Sequence, residues 1–295
     1  VTTAAQLITR THRQLLSGVV EERNKLVSSL NTTSTSVALT YEVGGIRAGA
    51  VIEINAEQMY VWAVDESTKT ATVERAFNGT TASSHAANTI VVVNPRFPRN
   101  QILEAINDEM ADLSSPMHGL FQVKVLDIEY NPSNRQTNLP AVSDIMDIIE
   151  VRYRYKSDDY KKINDVKLIR DLPTKDFGSA MALQVDSNIP ASDVRLVYKS
   201  PFSRLATEND DLQVVAGYPQ SAEDILVMGA QIRLMSPREI KRNFTESQGD
   251  TRRSDEVPPG AVSNSITNLL RLRRDRITAE AAKLTRKYPT FLQRV

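Results

Sequence analysis

Hydrophobic positions along this chain follow two periods in turn, a helical one at the start and end and a two-residue one between. In residues 3–30, Ile8, Leu15, Val19, Leu26 and Leu30 fall on one face at 3.6 residues per turn, which predicts a helix. Thr3 and Gln6 have capping-box spacing at its start. His12 and Arg23 share the apolar face, where a lone histidine is more often a satisfied core or interface group than a ligand. The Ser/Thr run at 31–36 ends that helix. Five short strand-like segments follow at 37–43, 50–55, 58–65, 69–77 and 89–93, separated by turn residues such as Gly44-Gly45 and Asp65-Glu66-Ser67. Five strands in so short a stretch predict a small barrel or a two-layer sheet.

The helical period returns after Pro98, where Ile102, Ile106, Met110 and Leu113 form an i, i+4 stripe closed by Ser114-Ser115-Pro116. Residues 120–218 are strand-like again. Ile149, Val151, Tyr153 and Tyr155 alternate with Glu150, Arg152 and Arg154, and Val194, Leu196 and Tyr198 repeat the pattern. This alternation predicts antiparallel strands with one wetted face, about six to eight of them in a sandwich. Ser221 and Asp224 have cap spacing for a further helix bearing Ile225, Met228, Ile232 and Met235. Gly229 beside that stripe permits close helix approach, and Ser236-Pro237 predicts a bend or restart.

The expected organisation is α+β: a helical frame with a small inserted β-barrel-like module, a second antiparallel β region and an extended C-terminal helix. The expected segments are an N-terminal helix (1–36), the small β module (37–95), a helix (96–119), an antiparallel β domain (120–219), a helical segment completing the frame (220–246), a linker (247–262) and a C-terminal docking helix with an arm (263–295). The linker reading rests on Gly249 and Pro258-Pro259-Gly260 within a polar, charged run.

In the last helix Ile266, Leu270, Ile277, Ala281, Leu284 and Tyr288 cluster on one side. Arg273 interrupts that stripe and needs a carboxylate or water. Pro289 stops the helix, and Phe291 and Leu292 add an apolar hook. Leaving such a stripe in water forfeits about 1.5–3 kcal/mol for each large side chain it could bury. The helix therefore either folds back on its own chain or docks on another. The candidate docking residues are Ile266, Leu270, Arg273, Ile277, Leu284, Tyr288, Phe291 and Leu292. Membrane-surface and DNA contacts are weaker alternatives, because the apolar face is narrow and no aromatic residues interleave the arginines.

Charge sharpens this picture. The chain carries 36 Lys or Arg and 36 Asp or Glu, so its net charge is zero. From Arg233 onward there are 14 basic and 7 acidic residues, a net of +7, which leaves −7 on the preceding part. A cationic end on an anionic body suits head-to-tail contacts, or else is a solvated basic face.

Candidate chemistry is sparse. There is no cysteine, hence no disulfide and no thiolate. His12, His85 and His118 show no metal spacing, and no phosphate loop, dinucleotide fingerprint or nucleophile elbow occurs. Asp158-Asp159 and Glu208-Asn209-Asp210-Asp211 offer hard oxygens for calcium but read as solvated loops. His85 with Ser83 and Ser84 makes a poor triad. No run reaches the length of a membrane helix, and no signal peptide is visible at the start. The expectation is a non-enzymatic protein with no cofactor and no metal.

The run Glu74-Arg75-Ala76-Phe77-Asn78-Gly79-Thr80-Thr81-Ala82-Ser83-Ser84-His85 resembles a hairpin-and-loop element of tailed-bacteriophage structural proteins. Asn78-Gly79 supplies a turn tolerant of positive φ, and the small residues after it suit an extended arm. The helical frame, β insertion and C-terminal arm together resemble head-to-tail adaptors (connector or neck proteins) of long-tailed double-stranded DNA phages. The segment 222–242 also looks like a helix of phage connectors. That resemblance implies a dodecameric ring at the virion neck, assembled in the host cytoplasm and surrounding the DNA exit channel without sequence-specific binding. It implies a portal protein on one side and a tail-side stopper or tail completion protein on the other. By the same resemblance residues 266–295 insert against the portal, and Phe77, Asn78, Gly79 and His85 belong to an inter-subunit loop. The large region 120–218 departs from small adaptors. It leaves open a tail-tip or baseplate part, or a host-surface glycan-binding module with Tyr153, Tyr155 and Tyr198 as stacking candidates.

Overall fold

In a computed structural model the described residues are 2–16, 19–131, 135–139, 144–156, 159–189, 193–246 and 261–289, with side chains described outside 236–246 and 261–263. The chain forms two compact units. The first comprises Val1–Glu109, Leu205–Leu212 and Glu223–Arg273, and the second Met110–Arg204, Gln213–Ala222 and Arg274–Val295. Among the described residues, four α-helices and several antiparallel sheets make this an α+β chain.

In the first unit α1 spans Ala4–Leu16 and buries Ala4, Leu7, Ile8 and Thr11, one face at helical spacing. Its first-turn N–H groups find partners: Ala4 donates to the Asp210 carbonyl (2.9 Å) and Ala5 to that of Glu208 (2.8 Å). The single helix expected over residues 3–30 is corrected here. After α1 the chain becomes β1 (Arg23–Lys25), which pairs with β6 (Ile90–Val93). Asn24 and Leu26 are buried while Lys25 and Val27 are exposed, a period of two. Sheet bonding and entry of Leu26 and Leu30 into the sheet's core outweigh the helical spacing these residues also satisfy.

The remaining strands of this sheet are β2 (Ser36–Ala38), β3 (Val51–Ile54), β4 (Glu57–Asp65) and β5 (Thr70–Glu74). Their order is β1-β6-β3-β4-β5-β2, and the sheet curls into a half-barrel. Its edge strands approach one another. The Val27 N–H donates to the Ala38 carbonyl (3.0 Å), and the Thr40 N–H to that of Lys25 (2.9 Å). The interior is filled by alternating residues, among them Val37, Leu39, Ile52, Ile54, Met59, Val61, Val73, Val91 and Val93. All five strand readings in this module correspond to strands. The sixth is β1.

α2 spans Arg99–Leu113, and its expected stripe of Ile102, Ile106, Met110 and Leu113 is buried. Glu53 in β3, 2% exposed, accepts a hydrogen bond from the Arg99 N–H (2.7 Å) at the start of α2. Burial pushes the Glu53 carboxyl up to about 8, a rise that Arg99 opposes and the charges of Glu208 and Glu21 reinforce. His12 lies 3.3 Å from Glu21, and burial lowers its pKa despite that carboxylate. It is a half-buried histidine set against a carboxylate of its own chain.

α3 spans Glu223–Glu246 and packs on α1. Its buried face carries Ile225, Leu226, Gly229 and Ala230, turned away from the expected stripe, whose Met228, Ile232 and Met235 are only half-buried. Arg10 pairs with Glu223 at 2.7 Å, and Gln231 donates to Gln14 at 2.6 Å. The restart expected at Ser236-Pro237 does not occur. α3 continues as one helix, and Pro237 forfeits one backbone bond. The expected linker lies largely outside the described residues. α4 follows it over Ala261–Lys287 and begins one turn earlier than the apolar spacing alone indicates.

In the second unit β10 (Asp159–Ile163), β9 (Asp147–Lys156), β13 (Asp193–Ser200) and β7 (Gln122–Glu129) form a four-stranded antiparallel sheet in that order. β11 (Val166–Ile169), β12 (Ala182–Val185) and β8 (Gln136–Asn138) form a three-stranded one. Both contribute to one core, with Leu196 opposite Val151 and Leu126 at its centre. The outer face of the larger sheet is polar. Arg195 meets Asp127 at 2.7 Å, Lys199 meets Asp147 at 3.1 Å, and Arg154 meets Asp193 at 3.4 Å. Among the described residues no helix is long and apolar enough to cross a membrane.

Candidate functional site

The loop after β5 is held from inside. Glu57 opens β4 with its side chain fully buried, and Arg75 meets it with two parallel bonds of 2.6 and 2.8 Å. The other three Arg75 donors reach the carbonyls of Asn31 (2.6 Å), Ser34 (3.0 Å) and Ser83 (2.6 Å). All five guanidinium N–H groups are thus used. Glu57 also accepts from the backbone N–H groups of Ala76 (3.3 Å) and Ser83 (3.0 Å) and from His85 Nε2 (2.8 Å). Burial alone would raise the Glu57 carboxyl. The Arg75, Ser83 and His85 hydrogen bonds together outweigh it and hold the carboxyl below its ordinary value near 4.5. The bonds place the His85 proton on Nε2, and Nδ1 faces the Asn55 amide at 3.4 Å.

Backbone conformation completes the anchor. Ala76 (φ 56°) and Asn78 (φ 52°) adopt left-handed geometry on either side of Phe77, and Thr80 closes the turn through its hydroxyl to the Phe77 carbonyl (2.8 Å). Asn78 donates to Gln58 (2.8 Å), and Gln58 in turn to Asn100 on α2 (2.5 Å). His85 exchanges both backbone bonds with Leu30, each 2.8 Å. The extended arm expected after Gly79 is therefore a pinned loop. The place of His85 changes accordingly: at 3% exposure it fastens the loop from within and is not presented to a neighbour. The loop's outward residues are Asn78 and Gly79, with Phe77 half-buried. A triad reading of Ser83 and His85 also fails on geometry. Ser83 Oγ (3.4 Å) and Glu57 face the same Nε2, whereas a relay needs acid and nucleophile on opposite ring nitrogens.

The second candidate element is α4. Arg273 finds the carboxylate its position demands: Glu109 on α2, 1% exposed, at 2.5 Å. Arg233 on α3 approaches the same carboxylate at 3.4 Å. Gly229 serves this cluster rather than helix–helix contact in general, since a Cβ there would lie 2.0 Å from the Glu109 carboxyl carbon. Farther along, Ile277 and Glu280 are buried, Arg276 donates to the Ser221 carbonyl (3.1 Å), and Lys283 donates to the Ser221 hydroxyl (3.1 Å). Of the two fates open to this helix, α4 takes the inward one along part of one face. Ile266, Leu284 and Tyr288 are half-buried, while Leu270 (46%) and the off-stripe Leu272 (55%) remain exposed. Phe291 and Leu292 lie outside the described residues. Arg271, Arg274 and Arg286 are exposed and, among the described residues, make no ion pair.

Other candidates resolve into structural roles. Glu208 is clasped by Arg99 (2.6 and 3.0 Å), and Asp210 accepts from the Ala206 and Thr207 N–H groups (2.7 and 2.9 Å). Those oxygens are thus committed to the protein. Tyr198 is buried, Tyr153 half-buried, and Tyr155 carries the Lys161 ammonium 3.6 Å over its ring. Among the three proposed stacking residues only Tyr155 offers an exposed ring. Glu57 and Glu109 escaped sequence reading, because a single acid in an apolar context carries no local spacing signal. The unmet need of Arg273 signalled a partner such as Glu109, and no comparable signal pointed to Glu57. No protein-family model matches the chain, and a search of curated proteins returns no relative.

Proposed function

We propose that this chain is a structural virion protein, a subunit of a ring at the phage neck that joins portal to tail and surrounds the DNA exit channel. The observation that carries the proposal is α4. One part of its surface is fastened to the chain by Glu109 and Ser221, and the rest presents exposed Leu270 and Leu272 together with Arg271, Arg274 and Arg286, which make no ion pair among the described residues. Exposed cations flanking apolar side chains fit an acidic protein surface, the kind of contact a ring subunit makes within its assembly. The half-barrel serves as the small barrel-like module of the adaptor pattern, and the anchored loop at 77–79 faces the next subunit. The protein works by contact and not by catalysis, with no cofactor, and DNA slides through the lumen without sequence-specific binding. A lumen for moving DNA avoids dense phosphate contacts, because affinity grows with each charge neutralised.

Electron microscopy of particles carrying a tagged copy tests this. The expected result is a ring of density between head and tail. Density at the tail tip would transfer the protein to the baseplate, a reading favoured by its second β region, seven strands among the described residues, which exceeds what a small adaptor needs.

A further inference from the structure

The outer surface of β4 and the following turn holds a group that the loop anchor does not use. Tyr60 and Trp62 meet edge-to-face with centroids 4.7 Å apart, and Phe77 tilts against Tyr60 at 5.3 Å. Trp62 is 59% exposed. Its indole N–H donates to Glu74 (3.2 Å), which stands directly across from Tyr60 in β5. Glu74 is exposed and makes no ion pair among the described residues. Three clustered rings beside an unneutralised carboxylate form a receptor for a planar cation, since ring faces attract cations and the carboxylate adds charge and hydrogen bonds.

The complement is on the same chain. Arg271, Arg274 and Arg286 on α4 are exposed guanidinium groups without ion pairs among the described residues; Leu270 and Leu272 supply apolar area beside Arg271 and Arg274, and Arg286 lies farther along the helix. We propose that the Tyr60–Trp62–Phe77–Glu74 face of one copy receives the α4 arginines of a neighbouring copy. The two surfaces differ, so copies can join head to tail, and a head-to-tail contact whose rotation closes makes a ring. The inference rests on the neck-ring reading and supplies its subunit-to-subunit contact.

Trp62 is the only tryptophan in the chain, so its fluorescence reports this face alone. The full chain is followed over a concentration series by sedimentation velocity and by acrylamide quenching, at low and high salt. Association is expected to protect Trp62 about twofold or more from quenching. The exposed triple variant Arg271→Glu, Arg274→Glu, Arg286→Glu should weaken association roughly 10- to 100-fold and remove the protection. Glu74→Lys added to that variant should restore both. Association with Trp62 quenching unchanged, or without rescue by Glu74→Lys, overturns this contact and leaves the ring reading intact. A chain that stays monomeric at every concentration overturns both.

Discussion

Arg75 shows how much one side chain can organise. Its five donors tie the loop that runs from Arg75 to Ser83 to the carbonyls of Asn31 and Ser34 and to Glu57, and that paired acid is buried. Lysine has the charge but not the fork, so Arg75→Lys should cost about 1–3 kcal/mol in denaturant unfolding, as carbonyls that the guanidinium now serves lose their donor. The pH dependence follows from Glu57. Its folded pKa is depressed, so its stabilisation is fully present above the ordinary value near 4.5 and is lost as pH falls through the folded value. Glu53 acts in the opposite sense. With its folded pKa near 8, the native chain keeps a proton that the unfolded chain releases above about 4.5, so stability falls between these limits and levels off beyond. Glu53→Gln retains an acceptor for the Arg99 N–H. It should flatten that slope and raise stability at pH 8 by on the order of 4 kcal/mol. Urea titrations at pH 4.5 and 8 measure both effects, and an unchanged slope in the Gln variant would contradict the burial account.

At the scale of elements, Gly229 decides whether α2, α3 and α4 share Glu109. Gly229→Ala places a methyl where the carboxylate now sits, and that carboxylate cannot swing away without leaving Arg273. The variant should lose about 1–3 kcal/mol from overpacking and show faster hydrogen exchange in residues 264–273. The periods that revealed these elements were legible wherever one dominated. The Ile102–Leu113 stripe and the Val194–Tyr198 alternation needed no tertiary knowledge. Residues 19–30 were misread because Leu26 and Leu30 satisfy both a helical face and a strand edge, and only pairing with β6 decides between them. The loop residues were visible in sequence as well, yet their role was not. Nothing near Arg75 or His85 in sequence announces that Glu57 will be buried between them. Face-level assignment on α3 failed for a similar reason, since packing on α1 and not apolarity alone selects Leu226 and Ala230 over Met228 and Ile232.

At the scale of the whole molecule, two of the hydrophobic clusters among the described residues set the expectations. One lies within the half-barrel and the other between the two sheets of the second unit. Independent cores unfold independently unless strongly coupled, so calorimetry should resolve more than one transition. Ile52→Ala should lower one and Leu196→Ala the other, each by about 2–5 kcal/mol of cavity cost. A single transition moved equally by both variants would contradict this. The meeting of the half-barrel's outer strands has a further consequence. Where Val27 and Thr40 bond across, the backbone offers no vacant ladder for a stray strand to extend. At that seam the sheet is therefore closed to strand addition, and whatever meets it must be recognised through side chains and not through backbone.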